Sequence, residues 1–444
     1  MPKIKDLASR KEEYLKVLEN RGLSSLVPVF EKGLEIYSNW KKINFEVQKL
    51  REKLNKLSLE YAKEKDPKLL EESKKVKNEI QRSEEKLAQY DEELEEINIL
   101  LPNWLSEMVP VGVGDEFEKP IEYMGKPKVW VEFKDEFEKK YPGVEAEFVI
   151  EQPFHHYNLV GTLIDQEKAG EVAGARFYYL FNDLVILDLA LNLYTLEFFK
   201  KKGYGDVVLI PPYFMRKDVE KKITHLSTFE ESIFELEKEG LILIPSSEHP
   251  IMAYFEDTIF KEEELPLRIL AWSPCFRKEA GAHGKDTKGI FRVKQFLKTE
   301  IQCMVRKEED FKEVEKVRKD VQEFVSSLEL PNRSVIVPSG DMDKRAVLQV
   351  DVQTWFPGQN AYRETHSIAT MDTWVSEKLK IRYKTKTWEK EFVRNIYSTG
   401  VASERIICAI AENLFDPSTK NIRVPKVLHK YMDKEYLEIT SKHP

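Results

Sequence analysis

Apolar residues early in the chain recur at alternating four- and three-residue spacings: Ile43, Val47, Leu50, Leu54, Leu57 and Tyr61. That spacing places them on one seam of a helix, the heptad signature of a helix packed lengthwise against another. No glycine or proline lies between Gly33 and Pro67, so nothing interrupts the helix before Asp66-Pro67, where a proline suits the first turn of the next one. The stripe then resumes at Leu69, Val76, Ile80, Leu87, Tyr90, Leu94, Ile97 and Leu101, broken only by Ser73 and Ser83. Two helices of about thirty residues each, at roughly 1.5 Å per residue, predict an antiparallel arm about 45 Å long. A rod with so little core must reach toward something.

After Pro102-Asn103-Trp104 the pattern changes, and Pro110 to Lys128 is rich in glycine, proline and charge. The expected division is therefore an arm domain, residues 1–112, and a second domain, residues 113–444. Within the second, Leu180 to Phe199 is the longest apolar stretch. Asn182, Asp183, Asp188, Asn192 and Glu197 interrupt it, which predicts a buried amphipathic helix and excludes a membrane span. Leu267 to Phe276 and Gly289 to Met304 are apolar and β-branched, predicting two antiparallel strands joined by a polar loop. Phe392 to Leu414 reads as a strand followed by a helix whose buried side carries Ile406, Ile407, Ile410 and Leu414.

At 444 residues the chain is long enough for a large core. Its 70 basic and 78 acidic residues leave a net charge of −8, which argues against a general nucleic-acid coat and against DNA as a partner. Between Lys41 and Tyr90 the balance reverses, with 14 basic against 10 acidic residues. Such a reversal suits an RNA backbone, although taken by itself a solvated coiled coil with ordinary Lys/Glu pairs is the favoured account of it. Cys275, Cys303 and Cys408 are far apart and form no CxxC or Cys/His cluster, so neither a disulfide framework nor a structural zinc site is expected. The opening MPKIKDLASRKEE has no apolar core of a signal peptide; the chain is expected in the cytoplasm, with no membrane partner.

Chemistry concentrates where the two central strands meet. Phe276-Arg277-Lys278-Glu279-Ala280-Gly281 and Gly289-Ile290-Phe291-Arg292-Val293-Lys294-Gln295-Phe296 place two arginines, an acid and an aromatic ring around a glycine-rich turn. Guanidinium forks bond phosphate oxygens in pairs and keep their protons, so an ATP cradle is the expectation. The arrangement resembles motif 2 of class II aminoacyl-tRNA synthetases, and FRKEAGAHGKDTKGIFRVKQF is similar to the seryl enzymes of archaeal type. The resemblance extends over nearly all of the chain beyond Val129. His155, Val172 to Leu180 (VAGARFYYL), the helix from Leu184 to Lys201 and Gly203 to Pro212 (GYGDVVLIPP) resemble motif 1, and Phe392 to Leu414 resembles motif 3.

That resemblance implies an α+β fold: a class II antiparallel β-sheet flanked by helices, preceded by a long α-helical hairpin that grips tRNA(Ser). It implies a homodimer joined through motif 1. It also implies ATP and Mg2+ as cofactors. Arg277 would hold the α-phosphate, Glu279 the adenine amino group and Arg292 the γ-phosphate; Phe296 would stack on the base, with Val293 beside it. Arg405 would cover the other face of adenine, and Glu364 and Ser367 would coordinate magnesium. Arg277, Arg292 and Arg405 are the implied catalytic residues. Serine would meet Ser246, Glu248, Arg277, Glu300, Ser367, Tyr397 and Thr399.

Departures from the family pattern gather near the serine pocket. Tyr397 replaces an Asn, Lys294 and Arg394 each replace a His, and Gln353 replaces a Glu. Ser367-Ile368-Ala369-Thr370 replaces a Ser-Cys-Ser-Asn run. The phenol of Tyr397 has three possible consequences: a smaller pocket, altered hydrogen bonding, or a ring turned outward. Two other functions therefore stand beside serine activation. One is a paralogue that binds RNA or a partner without charging serine; the other is a ligase that transfers an amino acid to a carrier protein.

Overall fold

The computed structural model describes residues 2–161, 163–224, 232–279 and 288–439. Ala280 and Gly281, with the rest of the polar loop up to residue 287, lie outside the described residues. Contacts divide the chain into two compact units, Met1–Trp104 and Leu105–Pro444. The division precedes residue 112 because the Pro/Gly-rich segment is tied into the second unit. There the Ser106 N–H donates to Val347 O at 3.0 Å, the Ser339 N–H donates to Pro110 O at 2.9 Å, and Val109 is buried in the core.

The first unit is dominated by helices α1 (Val27–Glu64) and α2 (Pro67–Leu100). At 38 and 34 residues they run roughly 57 and 51 Å at 1.5 Å per residue, longer than expected because α1 begins at Val27, ahead of the heptad seam. Lys65 turns the chain in the left-handed conformation (φ 54°), and the Asp66 side chain accepts the Lys68 N–H at 2.9 Å to cap α2. Val47, Leu57, Val76, Ile80, Leu94 and Ile97 are buried along the seam. Ser73 satisfies its hydroxyl on its own helix, donating to Leu69 O at 2.7 Å. Arg51–Glu84 (2.6 Å) and Lys53–Glu72 (2.7 Å) cross between the helices. Exposed pairs of this kind are screened by water and add little to stability, so apolar burial holds the hairpin together. At its base the Tyr14 hydroxyl donates to Pro102 O at 2.7 Å, with Phe30 and Trp104 against its ring.

The second unit is built on strand β1 (Lys119–Met124), helix α3 (Asp183–Lys201), strands β2 (Val207–Leu209), β3 (Leu267–Phe276) and β4 (Gln295–Val305), helix α4 (Asp310–Ser327), strands β5 (Asn332–Ile336), β6 (Leu348–Phe356), β7 (Ala361–Thr370) and β8 (Arg394–Ala402), and helix α5 (Ser403–Leu414). The strands form one sheet in the order β1-β5-β6-β7-β8-β4-β3-β2, antiparallel except where β2 joins β3. Alternation along each strand sorts the two faces. Ile301, Cys303 and Val305 of β4 and Ile396 of β8 enter one core with Leu187 and Leu191 of α3, Phe324 of α4, and Ile406 and Ile410 of α5. Each such side chain, once fully buried, stabilises the fold by about 1.5–3 kcal/mol.

Two local differences from expectation have physical causes. The return strand starts at Gln295 rather than Gly289, because the Gly289 backbone bonds a side chain instead of a strand. Gln166 Nε2 donates to Gly289 O at 2.7 Å, and the Gly289 N–H donates to Gln166 Oε1 at 2.9 Å. Helix α3 buries Leu184, Leu187 and Leu191 completely but leaves Val185, Ile186, Leu189 and Leu193 exposed. It is thus apolar on two faces, and this unit covers only one. Among the described residues no helix is long and apolar enough to cross a membrane.

Candidate active site

A cavity of about 290 Å³ opens over the sheet. Its nucleotide end is made where β3 and β4 part, with Cys275 opposite Phe296 and Phe276 opposite Gln295. Arg277 follows directly: its N–H donates to Lys294 O at 2.9 Å, its Nε donates to Pro245 O at 3.1 Å, and its guanidinium lies 5.3 Å from the Phe296 ring centre. Arg292 Nε donates to Glu279 Oε2 at 3.0 Å, and Arg176 Nη1 holds the Glu279 carbonyl at 2.7 Å. Val293 is buried beneath them. From the first turn of α5, Arg405 reaches Glu364, and its guanidinium sits 5.3 Å from the Phe291 ring. The Glu364 side chain is 45% exposed; desolvation by the cavity walls opposes its charge, but Arg405, Arg277 and Arg292 outweigh it and hold the carboxyl below its ordinary range. Three guanidiniums converging on one acid make a site prepared for a polyanion.

Glu364 also opens toward a cluster of oxygen donors. Ser367 stands opposite Asp351 in the β6–β7 ladder, and Gln349 Nε2 donates to both, at 3.1 and 3.2 Å. Carboxylate and hydroxyl oxygens so grouped fit a hard divalent cation. Asp351 escaped the sequence analysis because its place beside Ser367 depends on cross-strand register.

The amino-acid end lies around Glu300, which is fully buried opposite Thr399. The ladder slips between Thr299 and Glu300, opposite Gly400; a Cβ on Gly400 would stand 3.0 Å from Thr299 O, a tight approach that glycine avoids at the bulge. Glu300 Oε2 accepts from Ser246 Oγ at 3.2 Å and pairs with Lys298, while Oε1 has no hydrogen-bond partner among the described residues. Burial raises its pKa, against the pull of Lys298. Glu248 is buried alongside, pairing through Oε1 with Arg345 Nη1 at 3.2 Å. Arg345 is also held by Asp343 at 2.7 Å and Ile223 O at 3.2 Å.

Of the residues expected at the site, all but Glu300 line this cavity, and Glu300 lies behind Ser246 and Lys298; the departures separate into two groups. Tyr397 lines the cavity; burial first, then Asp343 and Glu248, push its hydroxyl pKa well up. Arg394 instead pairs with Asp372 at 2.5 Å, Lys294 lies 5.9 Å from the Phe177 ring centre, and Gln353 bonds Glu118 and Arg333. Ile368 and Ala369 are core residues. Sequence analysis missed Lys298, Asp343, Arg345 and Arg176. Only Lys298 carried a local signal, its two-residue spacing from Glu300 on one strand.

Helix α5 is anchored at its far end. Glu412 Oε2 accepts the Gly358 N–H at 2.8 Å, and Oε1 meets His156 Nδ1 at 2.7 Å. Burial lowers the His156 pKa, but Cys408 and Glu412 together raise it to about 10. His155, His156 and Glu412 form a potential metal-ligand group, and the close Glu412–His156 contact makes it a buried ion pair behind the cavity.

The antiparallel sheet, the arginine pair at the β3–β4 turn and the arginine at the head of α5 define a class II aminoacyl-tRNA synthetase core. Residues 229–414 match the model of the tRNA synthetase class II core domain (G, H, P, S and T), and residues 1–105 match the seryl-tRNA synthetase N-terminal domain. A serine–tRNA ligase of Ignicoccus hospitalis is 39% identical over 93% of either chain. The crystal structure of seryl-tRNA synthetase from Pyrococcus horikoshii complexed with ATP superposes with a TM-score of 0.93 at 35% identity, covering 98% of this chain and 99% of that one. The cytoplasmic enzyme of Naegleria fowleri in complex with AMP gives 0.82 at 30% identity, covering 97% and 96%. The chain belongs to the seryl-tRNA synthetase family.

Proposed function

We propose that the protein is an ATP-dependent serine–tRNA ligase. The observation that carries this is a cavity with both kinds of recognition: Arg277, Arg292 and Arg405 around Glu364 at one end, and Ser246, Lys298 and Thr399, backed by the buried Glu300, at the other. In the first step the serine carboxylate attacks the α-phosphorus of ATP. A carboxyl O–P bond forms, the bridging P–O bond breaks, and pyrophosphate leaves. Arg277 meets the negative charge that grows on the α-phosphate, and Arg292 and Arg405 hold the departing phosphates. Catalysis comes from positioning and charge stabilisation, without a covalent enzyme group. Magnesium, when bound, would supply charge neutralisation; Glu364 and Ser367 would hold it, with Asp351 alongside. In the second step a hydroxyl of the terminal adenosine of tRNA(Ser) takes the seryl group, and AMP is released.

In this reading Glu300 and Ser246 bond the polar atoms of serine, and Thr399 lies across from them. Loss of the serine hydroxyl would leave buried polar groups unpaired, which discriminates strongly against alanine. The helical hairpin binds the tRNA backbone, and the protein works in the cytoplasm. Two copies pair through the exposed stripe Val185, Ile186, Leu189 and Leu193 with Val208 on the edge strand β2 and Ile210 just beyond it. Neither a non-charging paralogue nor a carrier-protein ligase is favoured. The arm is present, and likeness to serine–tRNA ligases extends over both units. Serine-dependent exchange of labelled pyrophosphate into ATP tests the proposal; exchange that ignores serine rejects it.

A further inference from the structure

We propose that Arg345 is a specificity-determining residue of the amino-acid pocket: with Tyr397 it closes the pocket to any side chain larger than that of serine. The inference rests on the reading of this cavity as a seryl-adenylate site and adds what sets its size limit. Arg345 comes from the turn between β5 and β6, and Tyr397 comes from β8, yet both line the same cavity. Arg345 is 7% exposed. Its Nε and Nη2 bond Asp343, while Nη1 bonds Glu248 and Ile223 O. Swinging aside would break its pairs with both Glu248 and Asp343, so the wall it makes is rigid. Tyr397 faces Asp343, Glu248 and Arg345, which completes that wall from the strand side.

Charged groups crowd the same place. Glu248 and Asp343 pair with Arg345, and Glu300 pairs with Lys298. His249 meets Glu220 through Nδ1 at 2.6 Å and Glu248 through Nε2 at 3.8 Å. Glu300 Oε1 is a buried acceptor without a hydrogen-bond partner among the described residues. Removing Arg345 would open the wall and take the guanidinium away from Glu248 and Asp343.

The test is pyrophosphate exchange by the full chain with serine or threonine, which differ by one methyl group, in the wild type, in Arg345→Ala and in the double variant D343N/R345M. The double variant removes the Asp343–Arg345 pair without leaving Asp343 charged, so it serves where Arg345→Ala fails to fold. The expected result is an unchanged KM for ATP and a serine-over-threonine ratio of kcat/KM lowered at least about tenfold. An equal loss with both amino acids, the ratio unmoved, overturns the proposal and reduces Arg345 to a structural role. Absence of serine-dependent exchange in the wild type would instead bring down the seryl-adenylate reading itself.

Discussion

Arg405 Nη1 lies 3.1 Å from the Glu364 carboxylate and 3.0 Å from the Glu364 carbonyl oxygen, joining the head of α5 to the centre of strand β7. This contact ties the motif 3 arginine to the acid proposed to hold magnesium, so the two act as one unit. Arg405→Ala is expected to lower the rate of pyrophosphate exchange by about 10²–10³, the usual effect of removing one preorganised charge-stabilising group. Arg405→Lys should recover little, since an ammonium lacks the planar fork. Steady-state exchange with varied ATP measures both; full activity in the lysine variant would contradict the assignment.

Glu404, the neighbour of Arg405, gives a pH signature. Burial and then the charge of Asp188 raise its pKa to about 8, although the Tyr178 hydroxyl donates to it at 2.5 Å and the Leu297 N–H at 2.9 Å. Asp188 is itself raised to about 6, chiefly by burial. A carboxyl that holds its proton more tightly when folded favours folding below the unfolded pKa. That contribution disappears as pH rises from about 4.5 through 8. Stability to urea should therefore fall between pH 5 and pH 9, and Glu404→Gln should flatten the fall. An equally steep fall in the variant would show that Glu404 is not its source.

The hairpin and the catalytic unit are expected to separate in function. Deleting residues 35–100 should abolish transfer of serine to tRNA while leaving serine-dependent exchange within about twofold, since adenylate formation needs no phosphate-backbone contacts. Charging that survives the deletion would show that the arm is not the tRNA grip.

The exposed stripe on α3 predicts self-association. Leu189, 47% exposed on that stripe, should tolerate charge only in a monomer. Leu189→Glu is expected to shift sedimentation from dimer to monomer at micromolar protein and to leave the circular dichroism unchanged. An unchanged sedimentation coefficient would place the interface elsewhere.

How much of this was legible in the sequence follows from the range of the interactions. The heptad seam is local, and every one of its residues from Ile43 to Leu101 is at least partly buried. Arg277, Glu279, Arg292 and Phe296 are separated by short stretches around one turn, so their convergence was visible as a motif. Arg345, Asp343 and Asp351 were not, because each depends on pairing between distant elements: Arg345 with Glu248, Asp351 with Ser367 across a ladder. The start of β4 was misplaced because Gly289–Lys294 is as apolar as a strand, while Gln166 takes the Gly289 backbone bonds. Burial of α3 was overestimated because composition alone does not distinguish a core face from an exposed apolar one.

The most direct test of the account is the attachment of labelled serine to tRNA(Ser) by the full chain, with and without ATP. The account predicts ATP-dependent attachment approaching one serine per tRNA, lost in Arg277→Ala. Failure to attach serine, or attachment of a different amino acid in its place, would contradict it.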